Sequence, residues 1–491
     1  MAQLHPDVIS SGDLSKLAEI IEPLSENERF NCLTEPTELN PRNCLQSAAE
    51  SDSPNTLLYL LKSLSLSDKK KCEVLGLNSV EETPLSIAAS RGSIAVVKAL
   101  MEYVDAADSF SLLSQASGDY LASPLSYALG HPEVICFLLN CVTEQERATL
   151  LRQPAASGLT TLTAAITETE LESVKAMLDT LTQEHLLSAL SAPTVTGDTA
   201  LMVALQVRSD GITNYILSKV RSLSAEDRMQ YLLLANEPGG TALMMASNSV
   251  DTLKDLLCLV DGPQRLMLIK QRNSVGGSVL HIAADEGNAA ATQLLLSEAG
   301  DSSQQRLALL SMQNNVGGTP LMIATQFGHI AYIYSLFAEL SYEEMLSTLT
   351  QQNAVGGNSL MIAAEQGRTE VMVALSEKVR KSEKLGVFSY RNRQGGTPLM
   401  IASEQQNLSM IKWIMDFMSN DDERIALTNA KNNLEGTAYS IAMSLGNQQI
   451  CEYLRPHVSM KYIDELTEGV EAINMEDGST AETSGQKCVL L

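Results

Sequence analysis

The chain has 491 residues, 44 % of them apolar and 4 % aromatic, and carries a formal net charge of −25 from 34 basic and 59 acidic residues. That acidity argues against binding nucleic-acid phosphates or adsorbing unaided to anionic leaflets, and favours a protein partner with a basic surface. No run of 18 apolar residues, no signal peptide in "MAQLHPDVIS" and no paired cysteine motif occur, which predicts a reduced, cytosolic chain without a spanning helix.

Leu, Ala, Ile and Met supply the interior in place of aromatics, which points to closely packed small helices. The N-terminal stretch "SSGDLSKLAEIIEPL" (10–24) has the look of a second helix without its full first partner, so residues 1–40 are expected to form capping helices.

From residue 41 to 455 one unit recurs. Residues 273–284 read "NSVGGSVLHIAA", 314–325 "NNVGGTPLMIAT", 353–364 "NAVGGNSLMIAA" and 392–403 "NRQGGTPLMIAS". Weaker copies flank them, and the Thr-like position falls at 43, 83, 123, 160, 199, 241, 278, 319, 358, 397 and 437. The two shortest spacings follow Ala128 and Ala246, where the turn between the first two helices is expected to be shorter. Gly317, Gly356 and Gly395 stand where a tight turn needs positive φ. Thr319 and Thr397 are helix caps, and Pro320 and Pro398 suit a first turn that needs no N–H. Leu321, Ile323 and Ala324 are predicted to face neighbouring helices.

Between units stand "SENER" (25–29), "TEQER" (143–147), "SAEDR" (224–228), "DGPQR" (261–265), "SSQQR" (302–306) and "NDDER" (420–424). A cap residue followed three positions later by an acid or amide is a capping box, so most units are predicted to hold a third short helix. The Arg that closes each of these motifs is expected to pair with carboxylates of the next unit, or else to form a partner-binding row. Beyond Pro456, residues 456–491 read as a C-terminal cap and an acidic tail, disordered from about residue 467.

The repeated G-x-T-P-L-H-x-A-A pattern resembles the ankyrin repeat over residues ~40–455. The resemblance implies an all-α ankyrin-repeat solenoid of about eleven long repeats, and a protein–protein interaction role without a cofactor. His281 holds the family's His position, while Met or Ser stands there elsewhere.

No catalytic constellation is visible. The six histidines fall in different repeats, and His131 and His329 follow the helix–helix turn as structural residues. The paired glycines lack a downstream Gly-Lys-Ser/Thr and read as hairpin turns rather than a phosphate cradle. Cys136 and Cys141 read as small core residues. No metal site is expected, and the chain is expected to be a monomer and not an enzyme.

What remains is a surface. By the resemblance, partners lie against the hairpin fingers and the exposed end of each first helix. The fingers then offer Val275, Val316, Val355 and Arg393. The helix ends offer Asp285, Glu286, Gln326, Phe327, Glu365, Gln366 and Glu404. The three valines are either an exposed apolar stripe or a set packed tip to tip along the stack.

The chain closes on Cys488-Val489-Leu490-Leu491, which fits a C-a-a-X prenylation signal whose terminal Leu favours geranylgeranyl. One lipid anchors only marginally, so a membrane-resident partner would supply the second contact. The combination resembles prenylated ankyrin effectors that intracellular bacteria inject into eukaryotic cells. The expected role is a scaffold or blocker tethered by Cys488 to a cytosolic membrane face; the alternative is a soluble, unlipidated ankyrin-repeat inhibitor of an enzyme.

Overall fold

The computed structural model describes residues 6–35, 42–64, 75, 82–116, 122–155, 157–300 and 302–459. The lipid site at Cys488 and the tail expectation for residues 467–491 lie outside the described residues. The described chain is helical, with isolated bridges such as Pro154–Thr160 and Ala235–Thr241 as its β-structure.

One repeat shows how the local sequence sets the fold. Thr319 is extended (φ −92°, ψ 165°), and its side chain accepts a bond from the Met322 N–H, satisfying one of the four orphan donors of the helix Pro320–Phe327. Gly328, left-handed at φ +82°, ends that helix. The chain returns as Ile330–Glu339, and Ser341 with Glu344 then forms the capping box of a third helix, Tyr342–Thr350. Leu321 and Ala324 are fully buried. At roughly 25 cal/mol per Å² of apolar area removed from water, such residues dominate the stability of the stack. Ile323, expected to face a neighbour, is only half-buried and looks out on the finger side.

Every one of the six predicted capping motifs opens a third helix: Glu26–Thr34, Glu144–Arg152, Ala225–Leu232, Gly262–Ile269, Ser303–Leu310 and Asp421–Thr428. Their arginines have a duty that spacing did not reveal. Arg29 donates to the carbonyls of Leu24 and Glu22, Arg147 to those of Leu139 and Val142, Arg228 to that of Arg221, and Arg424 to those of Met415 and Met418. Each thereby satisfies free acceptors at the end of the second helix, where cations are favoured. Among the described residues, Arg265, with Glu298, and Arg306, with Glu344, are the ones that reach a carboxylate of the following repeat.

The two short spacings arise differently from expectation: their first helices are single turns, Pro124–Tyr127 and Ala242–Met245. Cys136 is exposed and Cys141 half-buried, so the helix Pro132–Asn140 turns its Cys136 face to solvent; the core reading of Cys136 is corrected.

The chain forms two compact units, Met1–Met245 with Cys258–Val260, and Ala246–Leu257 with Asp261–Leu491. In the first, like packs on like: Cys44–Glu50 on Pro84–Ser90, Pro132–Asn140 on Leu171–Leu178, and Glu144–Arg152 on Gln183–Leu190. The short helix Pro6–Ser10 covers Cys44–Glu50. The second unit repeats the scheme, with Val279–Asp285 on Pro320–Phe327, Ala289–Ser297 on Ile330–Glu339, and Ser303–Leu310 on Tyr342–Thr350.

Candidate functional site

All the candidate surface residues lie in the second unit, and four of them, Val275, Val316, Val355 and Arg393, stand on fingers built by backbone and asparagine. In the finger before Thr319, Asn314 Oδ1 accepts from the N–H groups of Val316 (3.1 Å) and Gly318 (2.8 Å), which folds the tip. Gly317 between them has φ +77°, and a Cβ there would lie 2.3 Å from the backbone N of Ala354 in the next finger. Two constraints therefore select Gly: a left-handed backbone and a close approach.

Successive fingers are joined through their main chains. The Asn315 N–H donates to Val275 O (3.0 Å), Ala354 to Val316 (3.2 Å), Arg393 to Val355 (3.0 Å) and Asn433 to Gln394 (3.0 Å). The tips thus stack through backbone, aided by the Asn315 and Asn433 amides, which donate to Ser274 O and Arg393 O, and the valine side chains are left out. Val275, Val316 and Val355 are 62 %, 69 % and 64 % exposed. A nonpolar row held this open by a hydrogen-bonded ladder is surface, not core.

Opposite the fingers lie the ends of the first helices. Asp285, Glu286, Gln326, Phe327, Glu365, Gln366 and Glu404 are all exposed, as is Arg393 on its finger. Their backbones are tied down from the following repeat: His329 meets the Asp285 carbonyl (2.6 Å), Arg368 the Phe327 carbonyl (2.5 Å) and Asn407 the Gly367 carbonyl (3.1 Å). Phe327 stacks on His329 with ring centroids 6.3 Å apart, and Glu286 accepts from the Ser247 hydroxyl (2.9 Å). The helix ends are fixed while the remaining side chains are free to meet a partner.

Between the last two fingers and helix ends lies a cavity of about 840 Å³. Arg393, Gln394 and Leu434 form its finger wall, Glu404, Met443 and Ser444 its helix wall, and Ile401 and Ile441 its floor. Although Glu404 is exposed, desolvation by the surrounding cavity wall and the charge of Glu365 raise its carboxyl above its ordinary value. Among the described residues no group of three or more His, Cys, Asp or Glu side chains could hold a metal ion, and no helix is long and apolar enough to cross a membrane.

A sequence profile described as ankyrin repeats (3 copies) matches residues 45–148, 243–343, 280–384 and 360–465, more than half of the chain. The chain belongs to the ankyrin-repeat family. No curated protein matches it. Among solved structures it is similar to the ankyrin repeat domain of Bcl-3, titled a unique member of the IkappaB protein family, at 22 % identity over 50 % of this chain and 95 % of that one, with a TM-score of 0.38. Ankyrin repeats are in general modules for binding proteins.

Three features of this ankyrin-repeat groove escaped the sequence reading. The first is the turn-forming asparagine, although Asn recurs five residues before the cap at 236, 273, 314, 353, 392 and 432. The second is the half-exposed floor of Ile282, Ile323, Ile362 and Ile401, which a helical apolar pattern assigns to core. The third is Leu434, 55 % exposed at the fingertip before Thr437, where "EGT" replaces "GGT". His281, by contrast, keeps the family's bonding. Its Nδ1 accepts from the Ser278 N–H (3.1 Å), and its Nε2 donates to Gly318 O (3.0 Å), which fixes the tautomer.

Proposed function

We propose that this ankyrin-repeat protein is a binding scaffold or blocker, whose second unit grips a protein partner with a basic surface. The observation that carries this reading is the exposed valine row, Val275, Val316 and Val355, on fingertips tied one to the next, in repeats whose first helices end in the exposed acids Asp285, Glu286, Glu365 and Glu404. A contiguous apolar strip rimmed by like charge marks a contact surface. Gln326, Phe327, Gln366 and Arg393 complete the same face.

The finer part of the proposal is an anchor. The motif Cys488-Val489-Leu490-Leu491 supports geranylgeranylation of Cys488 and placement on a cytosolic membrane face. A single prenyl chain gives reversible binding, so the groove's partner would hold the protein at its membrane. The resemblance to prenylated ankyrin effectors of intracellular bacteria supports action inside a host cell. Intact mass of the full chain expressed in eukaryotic cells, beside Cys488→Ser, tests the anchor. A geranylgeranyl gain with loss of the last three residues supports it; an unmodified C-terminus leaves the soluble inhibitor reading. Val316→Asp tests the face independently: folding is retained while partner binding falls.

A further inference from the structure

The groove of the second unit has a built-in ruler. Consecutive repeats place equivalent side chains one helix-packing distance apart, about 8–10 Å. The finger wall steps from Val275 to Val316 to Val355, and the floor from Ile282 to Ile323 to Ile362 to Ile401. Each residue is one repeat from the next, and successive fingers are tied by a single backbone hydrogen bond. The helix wall steps from Asp285 through Gln326 to Glu365 and Glu404.

An ordinary β-strand shows the same face every second residue, roughly 7 Å, which drifts out of register with such a ruler. A polyproline II segment has three residues per turn at about 3.1 Å each, so the same face returns every ~9 Å. That matches one repeat. Its backbone makes no internal hydrogen bonds, and its ordering entropy is low, which suits a long shallow groove.

We infer that the second unit binds an extended, polyproline II-like protein segment of period three. In it, one position of each triplet is aliphatic, against the fingertip valines and the isoleucine floor. A second position is Lys or Arg, against Glu365 and Glu404, and the third faces solvent. Charge complementarity selects the cation: the exposed carboxylates Glu365 and Glu404 stand close enough for the charge of Glu365 to act on Glu404, and a positive side chain beside them offsets it. Arg393, on the opposite wall, sets the orientation by repelling the basic positions from the fingers. The segment deepens the proposed binding face and rests on that reading.

The test uses the full chain and fluorescein-labelled peptides built from Leu-Pro-Lys triplets, with composition-matched scrambled controls, read by anisotropy. Affinity should rise with each added triplet up to about four, the span of the groove, and should exceed that of the scrambled peptide by about tenfold. Glu404→Lys and Val316→Asp should each remove most of that difference, with circular dichroism unchanged. Equal binding of ordered and scrambled peptides, or indifference to both substitutions, overturns the inference. A photo-cross-linker at position 275 separates the two readings. If it captures a folded protein that Val316→Asp releases while the triplet peptides fail, the binding face stands and the period-three segment falls.

Discussion

Glu344 is the most consequential single charge between repeats. Its side chain is 1 % exposed, and Oε1 accepts from the Ser303 hydroxyl (2.7 Å) and from Arg306 Nε (3.1 Å) and Nη2 (2.9 Å) of the preceding repeat. Oε2 accepts from the Ser341 N–H (2.9 Å), closing the capping box. Burial alone would raise its carboxyl, but bonds from Ser303, Ser341 and Arg306 outweigh it and hold the group at about 2, against an ordinary 4.5. At about 1.4 kcal/mol per unit the shift represents roughly 3 kcal/mol, and solvent reaching Arg306 reduces this to ~2 kcal/mol. The folded-state value is lowered, so the stabilisation is complete above 4.5 and decays as the pH falls toward 2. Glu344→Gln keeps the shape and removes the charge. It should lower the melting temperature at pH 7 by about 5 °C, and the gap to wild type should close progressively below pH 4.5. Scanning calorimetry at pH 7, 4 and 3 measures both. An equal deficit at pH 3 and pH 7, or none at pH 7, would refute the assignment of the carboxylate as the linchpin.

The fingers and His281 give further tests. Gly317→Ala forces φ +77° on a side chain and drives Cβ against Ala354; it should cost more than about 2 kcal/mol in urea unfolding. Asn314→Ala orphans two finger N–H groups and should cost about 1–2 kcal/mol while leaving helix content unchanged by circular dichroism. His281 is buried, and burial lowers its value below the ordinary 6.5, so the unfolded chain takes up a proton first and stability falls as pH drops below 6.5. His281→Met, the residue found at 322, 361 and 400, should be less stable at pH 7.5 yet lose less between pH 7.5 and pH 5.

How much of this could be read in advance follows from the range of each interaction. Caps, boxes and left-handed glycines act within four residues, so Thr319, Ser341 with Glu344, and Gly317 carry their structure in plain sight. Arg265 and Arg306 meet the expected carboxylates of the following repeat, but the main acceptors of Arg29, Arg147, Arg228 and Arg424 are carbonyls, which no residue type announces: Arg424 donates to Met415 O and Met418 O, and its carboxylate partner Asp421 lies on its own helix rather than in the next repeat. Ile323 was misjudged because a fingertip one loop away leaves its side uncovered; its own helix gives it a core position. The valines could not be settled from spacing, since packing against the next tip and pointing to solvent use the same residue. The decision lies in the ladder from Asn315 N–H to Val275 O, which holds the tips together without their side chains.

That division of labour bears on what the face can do. The finger is specified by Asn314, Gly317 and a main-chain bond to its neighbour, none of which involves the side chain at 316. The same holds at 275 and 355, and the helix ends are pinned through carbonyls of Asp285 and Phe327, not through their side chains. Substitutions on the proposed contact row should therefore leave stability nearly unchanged, since exposed positions away from caps and cores shift folding by less than about 0.5 kcal/mol. A surface so uncoupled from its scaffold can be re-lettered for a new partner one repeat at a time. Where a finger departs from the Val pattern, as at Gln394 and Leu434, the turn bonds to Asn392 and Asn432 remain in place, so the difference does no damage to the fold.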